Sequence, residues 1–115
     1  DLRVLTQIHI HRRDVDAAIY AFERITGYRG DELALRLATV AAKRRPDVSR
    51  RLISDIVERQ IAMKNRSHYA QAAAGAGRLR DLMTRQEFAG YLSDLRLRYR
   101  RLPALQDELN RAFGR

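Results

Sequence analysis

The chain has 115 residues, 45% apolar and 32% charged, proportions that fit one globular domain and are too apolar for disorder. It has no cysteine, which excludes disulfides, thiolate metal sites and thiol nucleophiles, and no apolar run approaches the roughly 20 residues of a membrane span. The net charge is +9, and every basic residue except Lys43 and Lys64 is arginine. That balance predicts attraction to polyanions or to an acidic partner, although GC-rich codon usage would also favour arginine.

The apolar spacing is helical almost throughout. Leu2 to about His11 reads as a first helix with Val4, Leu5 and Ile8 on overlapping faces, and Arg12-Arg13-Asp14 as a tight connection. Asp14 is placed to cap the second helix, and Asp16 adds negative charge to its first turn. Its stripe is Val15, Ala18, Ile19, Phe22 and Ile25, and Gly27 stands where a left-handed C-terminal residue is expected. Asp31 is the expected cap of a third helix with a stripe of Leu33, Leu37, Val40 and Ala41. Lys43-Arg44-Arg45 follow, and Pro46 ends that helix or begins the next.

The fourth helix is predicted over about 46–64, with Leu52, Ile53, Ile56, Val57 and Ile61 as its stripe. Ser67 is the expected cap of a fifth helix reaching about Met83, with Tyr69, Ala72, Ala73, Ala76, Leu79 and Met83 on its apolar face. Gly75 and Gly77 lie inside this pattern. Each costs about 1 kcal/mol relative to Ala, which implies close approach of a neighbouring helix. Thr84 and Glu87 have capping-box spacing at the start of a sixth helix whose stripe is Phe88, Tyr91, Leu92, Leu95 and Tyr99. Pro103 sits near the first turn of a short last helix carrying Leu105, Leu109 and Phe113, which Asp107 and Glu108 are expected to open. No stretch alternates with period two, so no sheet is expected.

The expected fold is all-α: about seven antiparallel helices in stacked helical hairpins, forming one domain over residues 1–115. The array is either a tetratricopeptide-like right-handed stack or an irregular bundle. Ala17 to Phe22 is similar to the second half of a tetratricopeptide repeat, but the early Trp, Leu-Gly and Tyr signature is missing. A start without Met reads as a piece of a longer protein.

A longer stretch carries a more specific likeness. It comprises Arg45-Pro46-Asp47, Leu52, Val57-Glu58-Arg59-Gln60-Ile61-Ala62, Asn65-Arg66 and Tyr69-Ala70-Gln71-Ala72-Ala73. It continues through Phe88 to Leu95, then Arg98-Tyr99-Arg100-Arg101-Leu102-Pro103-Ala104-Leu105 and Glu108-Leu109. Residues 33–113 thus resemble the C-terminal helical region of large bacterial SWIM zinc finger family proteins. The resemblance implies a parent protein with a zinc-binding segment upstream, a Cys-x-Cys followed by Cys-x-His, and a nucleic-acid context. No zinc ligand of that segment falls within this chain. Ala74-Gly75-Ala76-Gly77 departs from the family pattern, which has bulky aliphatics there.

Catalytic, cofactor and metal residues are not expected. His9 and His11 point about 200 degrees apart on a helix and cannot share a metal, and His68 has no second ligand nearby in sequence. Asp14 with Asp16, and Asp31 with Glu32, sit at helix starts, where capping and the helix dipole explain them. No phosphate-binding loop, nucleophile elbow or dinucleotide motif is present. The basic clusters are the informative feature: Lys43, Arg44 and Arg45, and Arg96, Arg98, Arg100 and Arg101 around Tyr99. On a continued sixth helix Arg96 and Arg100 would stand four residues apart, a like-charge pair that an anion between them would relieve. Cations in the last turn of a helix also complement its dipole, a purely structural explanation for both clusters.

These clusters point to a cytoplasmic protein-interaction or scaffold module rather than an enzyme. Its expected partner is an acidic protein segment or the rest of the parent chain. The alternative is an accessory nucleic-acid-binding domain that contacts phosphates through arginine. Exposed tyrosine among the arginines would favour single strands, but Tyr20, Tyr69, Tyr91 and Tyr99 fall on apolar stripes, and only Tyr28 is expected in a turn. A third reading, a piece that completes a larger fold, predicts an exposed apolar patch around Leu2, Val4 and Leu5.

Overall fold

Side-chain caps set most of the helix starts in the computed structural model, which describes residues 1–115 as seven α-helices with no strand. They are α1 (Leu2–His11), α2 (Val15–Glu23), α3 (Asp31–Ala41), α4 (Pro46–Ala62), α5 (Arg66–Arg80), α6 (Arg85–Arg98) and α7 (Pro103–Phe113). No helix is long and apolar enough to cross a membrane. The Asp1 carboxylate accepts from the Arg3 N–H at 2.8 Å, and Asp14 accepts from Ala17 N–H at 3.3 Å. Thr84 and Glu87 form the full reciprocal capping box of α6.

Four local expectations are corrected. Gly27 does not cap α2, although its φ is +75°. The helix ends earlier because Arg29 donates to the carbonyls of Glu23 and Ile25, closing its last turn from outside. Asp31 is the first residue of α3, and Gly30 holds the cap position with φ +90°. Asn65 rather than Ser67 caps α5, because its extended backbone aims Oδ1 at the His68 N–H, 2.9 Å away. Asp107 and Glu108 lie inside α7, not at its opening; both accept from Arg66 at the start of α5, at 2.7 and 2.9 Å. That guanidinium holds the Asp107 carboxyl below the ordinary carboxylate range.

The chain comprises two compact units, Asp1–Leu52 and Ile53–Arg115, with α4 running from the first into the second. In the first, α1 and α2 form a helical hairpin and α3 packs on both. Ile10, Ala18, Phe22, Leu33, Leu37, Ala41 and Val48 are buried. Two buried hydroxyls are satisfied by carbonyls one turn or one helix away: Thr6 donates to Leu2 at 2.6 Å and Ser49 to Ala38 at 2.7 Å. Leu2, Val4, Leu5 and Ile8 remain 36%, 52%, 42% and 41% exposed.

In the second unit, α5 packs chiefly against α7 and less against α6, so its main partner is not its neighbour in sequence. Val57, Ile61, Leu79, Leu95, Leu105 and Leu109 are almost wholly buried. The small-residue face of α5 has the expected use: a Cβ on Gly75 would lie 2.9 Å from Val57 Cγ2, closer than carbon atoms approach. At Gly77 the nearest atom, Phe113 Cζ, is 4.0 Å away.

These two glycines give opposite expectations. Gly77→Ala should stabilise by about 0.5–1 kcal/mol through helix propensity. Gly75→Ala should destabilise by about 1–2 kcal/mol, as the Val57 clash outweighs the same gain. Urea unfolding midpoints of the two variants measure this, and equal shifts would show that Val57 simply moves aside.

Candidate functional site

The two basic clusters have different surroundings. In the first unit Arg44 pairs with Asp16 at 3.1 Å, while Arg45 reaches both Asp16 at 3.8 Å and Asp47 at 3.3 Å. Asp47 holds the Arg45 guanidinium above its ordinary pKa by hydrogen bonding. Arg51 pairs with Glu23 at 3.7 Å. Only Lys43, exposed at the end of α3, has no carboxylate partner there.

In the second unit the sequence places Arg96, Arg98, Arg100 and Arg101 together, but the fold gives each a different task. Arg96 donates to the Gly114 carbonyl. Arg98 pairs with Glu58 at 2.7 Å and Asp94 at 2.8 Å, and these two carboxylates raise its pKa further. The Tyr99 hydroxyl donates to the other Glu58 oxygen. Arg96 and Arg100 do not form the expected like-charge pair, because α6 ends at Arg98 and Tyr99 turns off with φ −112°. Gln106 caps this end by donating to the Arg96 and Tyr99 carbonyls at 3.3 and 2.9 Å.

The turn opens a groove of about 490 Å³ between the end of α4 and the α6–α7 connection. Ile61, Ala62 and Leu102 give it apolar walls, and Lys64, Arg98, Arg100 and Arg101 give it positive charge. Arg98 is held by Glu58 and Asp94, whereas Arg100 meets only the Leu97 carbonyl at 3.3 Å. Lys64, Arg100 and Arg101 carry no ion pair, so their charge faces the groove uncompensated. Lys64 was not singled out by sequence, since it is a lone cation after a helix. Its φ of +56° places it in the left-handed conformation that ends α4, which glycine or asparagine adopts at less cost.

The aromatic residues divide differently from expectation. Tyr69 is buried, but Tyr20 is 61% exposed and Tyr28 66%. Tyr20 lies one turn after Asp16 on α2, and the Arg24 guanidinium stacks over its ring, 3.1 Å from the centroid. An exposed tyrosine therefore does stand near arginines, in the first unit rather than around Tyr99. No three His, Asp or Glu side chains converge in an arrangement that could hold a metal ion. His68 hydrogen-bonds the Asn65 cap through Nδ1 at 2.7 Å.

Comparison with family models, with curated proteins and with solved structures finds no match for this chain.

On α6 the Tyr91 hydroxyl is buried with no hydrogen-bond partner. Burial, reinforced by the Glu58 carboxylate, pushes its pKa up to about 12. The unfolded chain ionises this phenol near the ordinary value of about 10. Its contribution to stability is therefore complete below that pH and falls as pH rises from about 10 to 12. Tyr91→Phe should remove that part of the alkaline decline and leave neutral stability unchanged or higher, because no bond is lost. Denaturation midpoints of both proteins across this pH range are the check, and an unaltered alkaline slope would contradict it.

Proposed function

We propose that this chain is a helical interaction module that holds an acidic protein segment in the groove of its second unit. The observation that carries this reading is the set of three unpaired cations, Lys64, Arg100 and Arg101, set on a concave surface with apolar walls. A carboxylate-rich segment would replace the water around these charges, and Ala62 and Leu102 would take an apolar side chain between the acids. Lys64 supports the reading, because a strained backbone conformation at an exposed cation is the kind of feature found at functional sites.

A labelled peptide of alternating acidic and leucine residues, followed by fluorescence anisotropy, tests the groove. Arg100→Glu with Arg101→Glu should weaken binding by at least about tenfold through lost attraction and added repulsion. Lys43→Glu with Arg44→Glu, in the first unit, should change it by less than about threefold. The reverse ranking would move the site away from the groove.

A second reading, contact with single-stranded nucleic acid, is favoured by the exposed Tyr20 stacked under Arg24 with Arg44, Arg45 and Arg51 on neighbouring elements. Stacking on such a ring contributes about 1–3 kcal/mol per base. The proposed kinship of residues 33–113 with the SWIM zinc finger family gives this reading its context. Tyr20→Ala should then weaken binding of a labelled single strand by about fivefold or more at near-physiological salt. Loss of all binding on raising salt, with no effect of Tyr20→Ala, would leave only a generic positive field.

A further inference from the structure

Helix α1 turns only Thr6 and Ile10 fully inward. Its other large apolar side chains, Leu2, Val4, Leu5 and Ile8, flank a shallow depression of about 380 Å³ together with Asp1. Their spacing of three and four residues makes a continuous stripe along a helix of ten residues, roughly 15 Å long. Scattered surface leucines need no explanation, but four adjacent ones on one helix face mark a contact surface.

Apart from Asp1 at the N-terminal end, the charged residues of α1 and of the two positions after it are basic. Arg12 and Arg13 stand exposed at its C-terminal end without ion pairs, and His9 and His11 lie in the last turn. Arg13 has φ +57°, so a cation again occupies a left-handed position at a helix end. Arg3 is engaged elsewhere, donating to the Tyr28 and Arg29 carbonyls. We infer that the exposed face of α1 docks an amphipathic helix of an acidic partner protein, with leucine-type residues on the stripe and carboxylates toward Arg12 and Arg13. A second copy fits poorly. Pairing α1 with itself would set Arg12 and Arg13 of each copy against one Asp1 carboxylate. The stripe has no aromatic side chain, which weakens the case for a lipid surface.

This surface is independent of the groove, so the test uses the Arg100→Glu, Arg101→Glu chain as background. The probe is a labelled helical peptide of about 16 residues with Leu at i, i+3, i+4 and i+7 and Glu on the flanks, beside a scrambled version. The helical peptide should bind and shift the amide signals of α1. Leu5→Glu with Ile8→Glu should weaken it at least about tenfold, and Arg12→Gln with Arg13→Gln about threefold at low salt. Circular dichroism confirms that these exposed substitutions leave the helices intact. Equal binding of the scrambled peptide, or binding unchanged by Leu5→Glu with Ile8→Glu, overturns the inference. So does a concentration-dependent dimer in sedimentation that these substitutions abolish, or binding to phosphatidylserine–phosphatidylcholine vesicles in place of the peptide.

Discussion

The contacts of Glu58 with Arg98 and Tyr99 are those on which the shape of the groove depends. The two Glu58 oxygens take the Arg98 guanidinium and the Tyr99 hydroxyl, residues adjacent in sequence at the end of α6. A half-buried carboxylate left without these partners would carry a desolvation penalty, so the pair is held firmly. The result is geometric. With Arg98 and Tyr99 turned toward α4, the chain leaves the helix, Gln106 closes its carbonyls, and Arg100 and Arg101 face the groove instead of continuing a helix surface.

The arginine excess has a structural side that a charge count hides. Arg3, Arg24, Arg29, Arg96 and Arg100 all donate to backbone carbonyls, several of them at helix ends or loop turns. A planar guanidinium with five donors can close such an end while its stem covers apolar surface, which a lysine ammonium does less well. Arg44, Arg45, Arg51, Arg66 and Arg98 are further matched by carboxylates. Many of the arginines are therefore engaged in built interactions, whereas Lys64, Arg100 and Arg101 beside the groove and Arg12 and Arg13 at the end of α1 have no ion pair.

The core uses small residues where helices must come close. Ala72, Ala73, Gly75 and Ala76 form one face of α5, and Val57 reaches into the space a Cβ on Gly75 would fill. This explains why a bulky side chain is absent at Gly75. The close packing offsets the helix-propensity cost of Gly75, whereas at Gly77 the space would admit a Cβ.

Much of this was legible in the sequence because it is local. The 3.6-residue apolar period, Asp14 before Val15, the Thr84–Glu87 capping box and Pro46 at the start of α4 specify helices through contacts within a turn or two. The apolar residues of α1 were legible in the same way, but their exposure was expected only if α1 lacks a neighbouring helix. What only the tertiary structure decided is which polar groups meet across long separations. Arg29 closing α2, Arg66 reaching Asp107, Glu58 holding Arg98 and Tyr99, and Tyr20 lying outward depend on helix docking that no local pattern encodes. Sequence thus determined that cations are abundant near residue 100. Docking, by supplying a carboxylate to Arg98 and none to its neighbours, decided that Lys64, Arg100 and Arg101 carry no ion pair beside the groove.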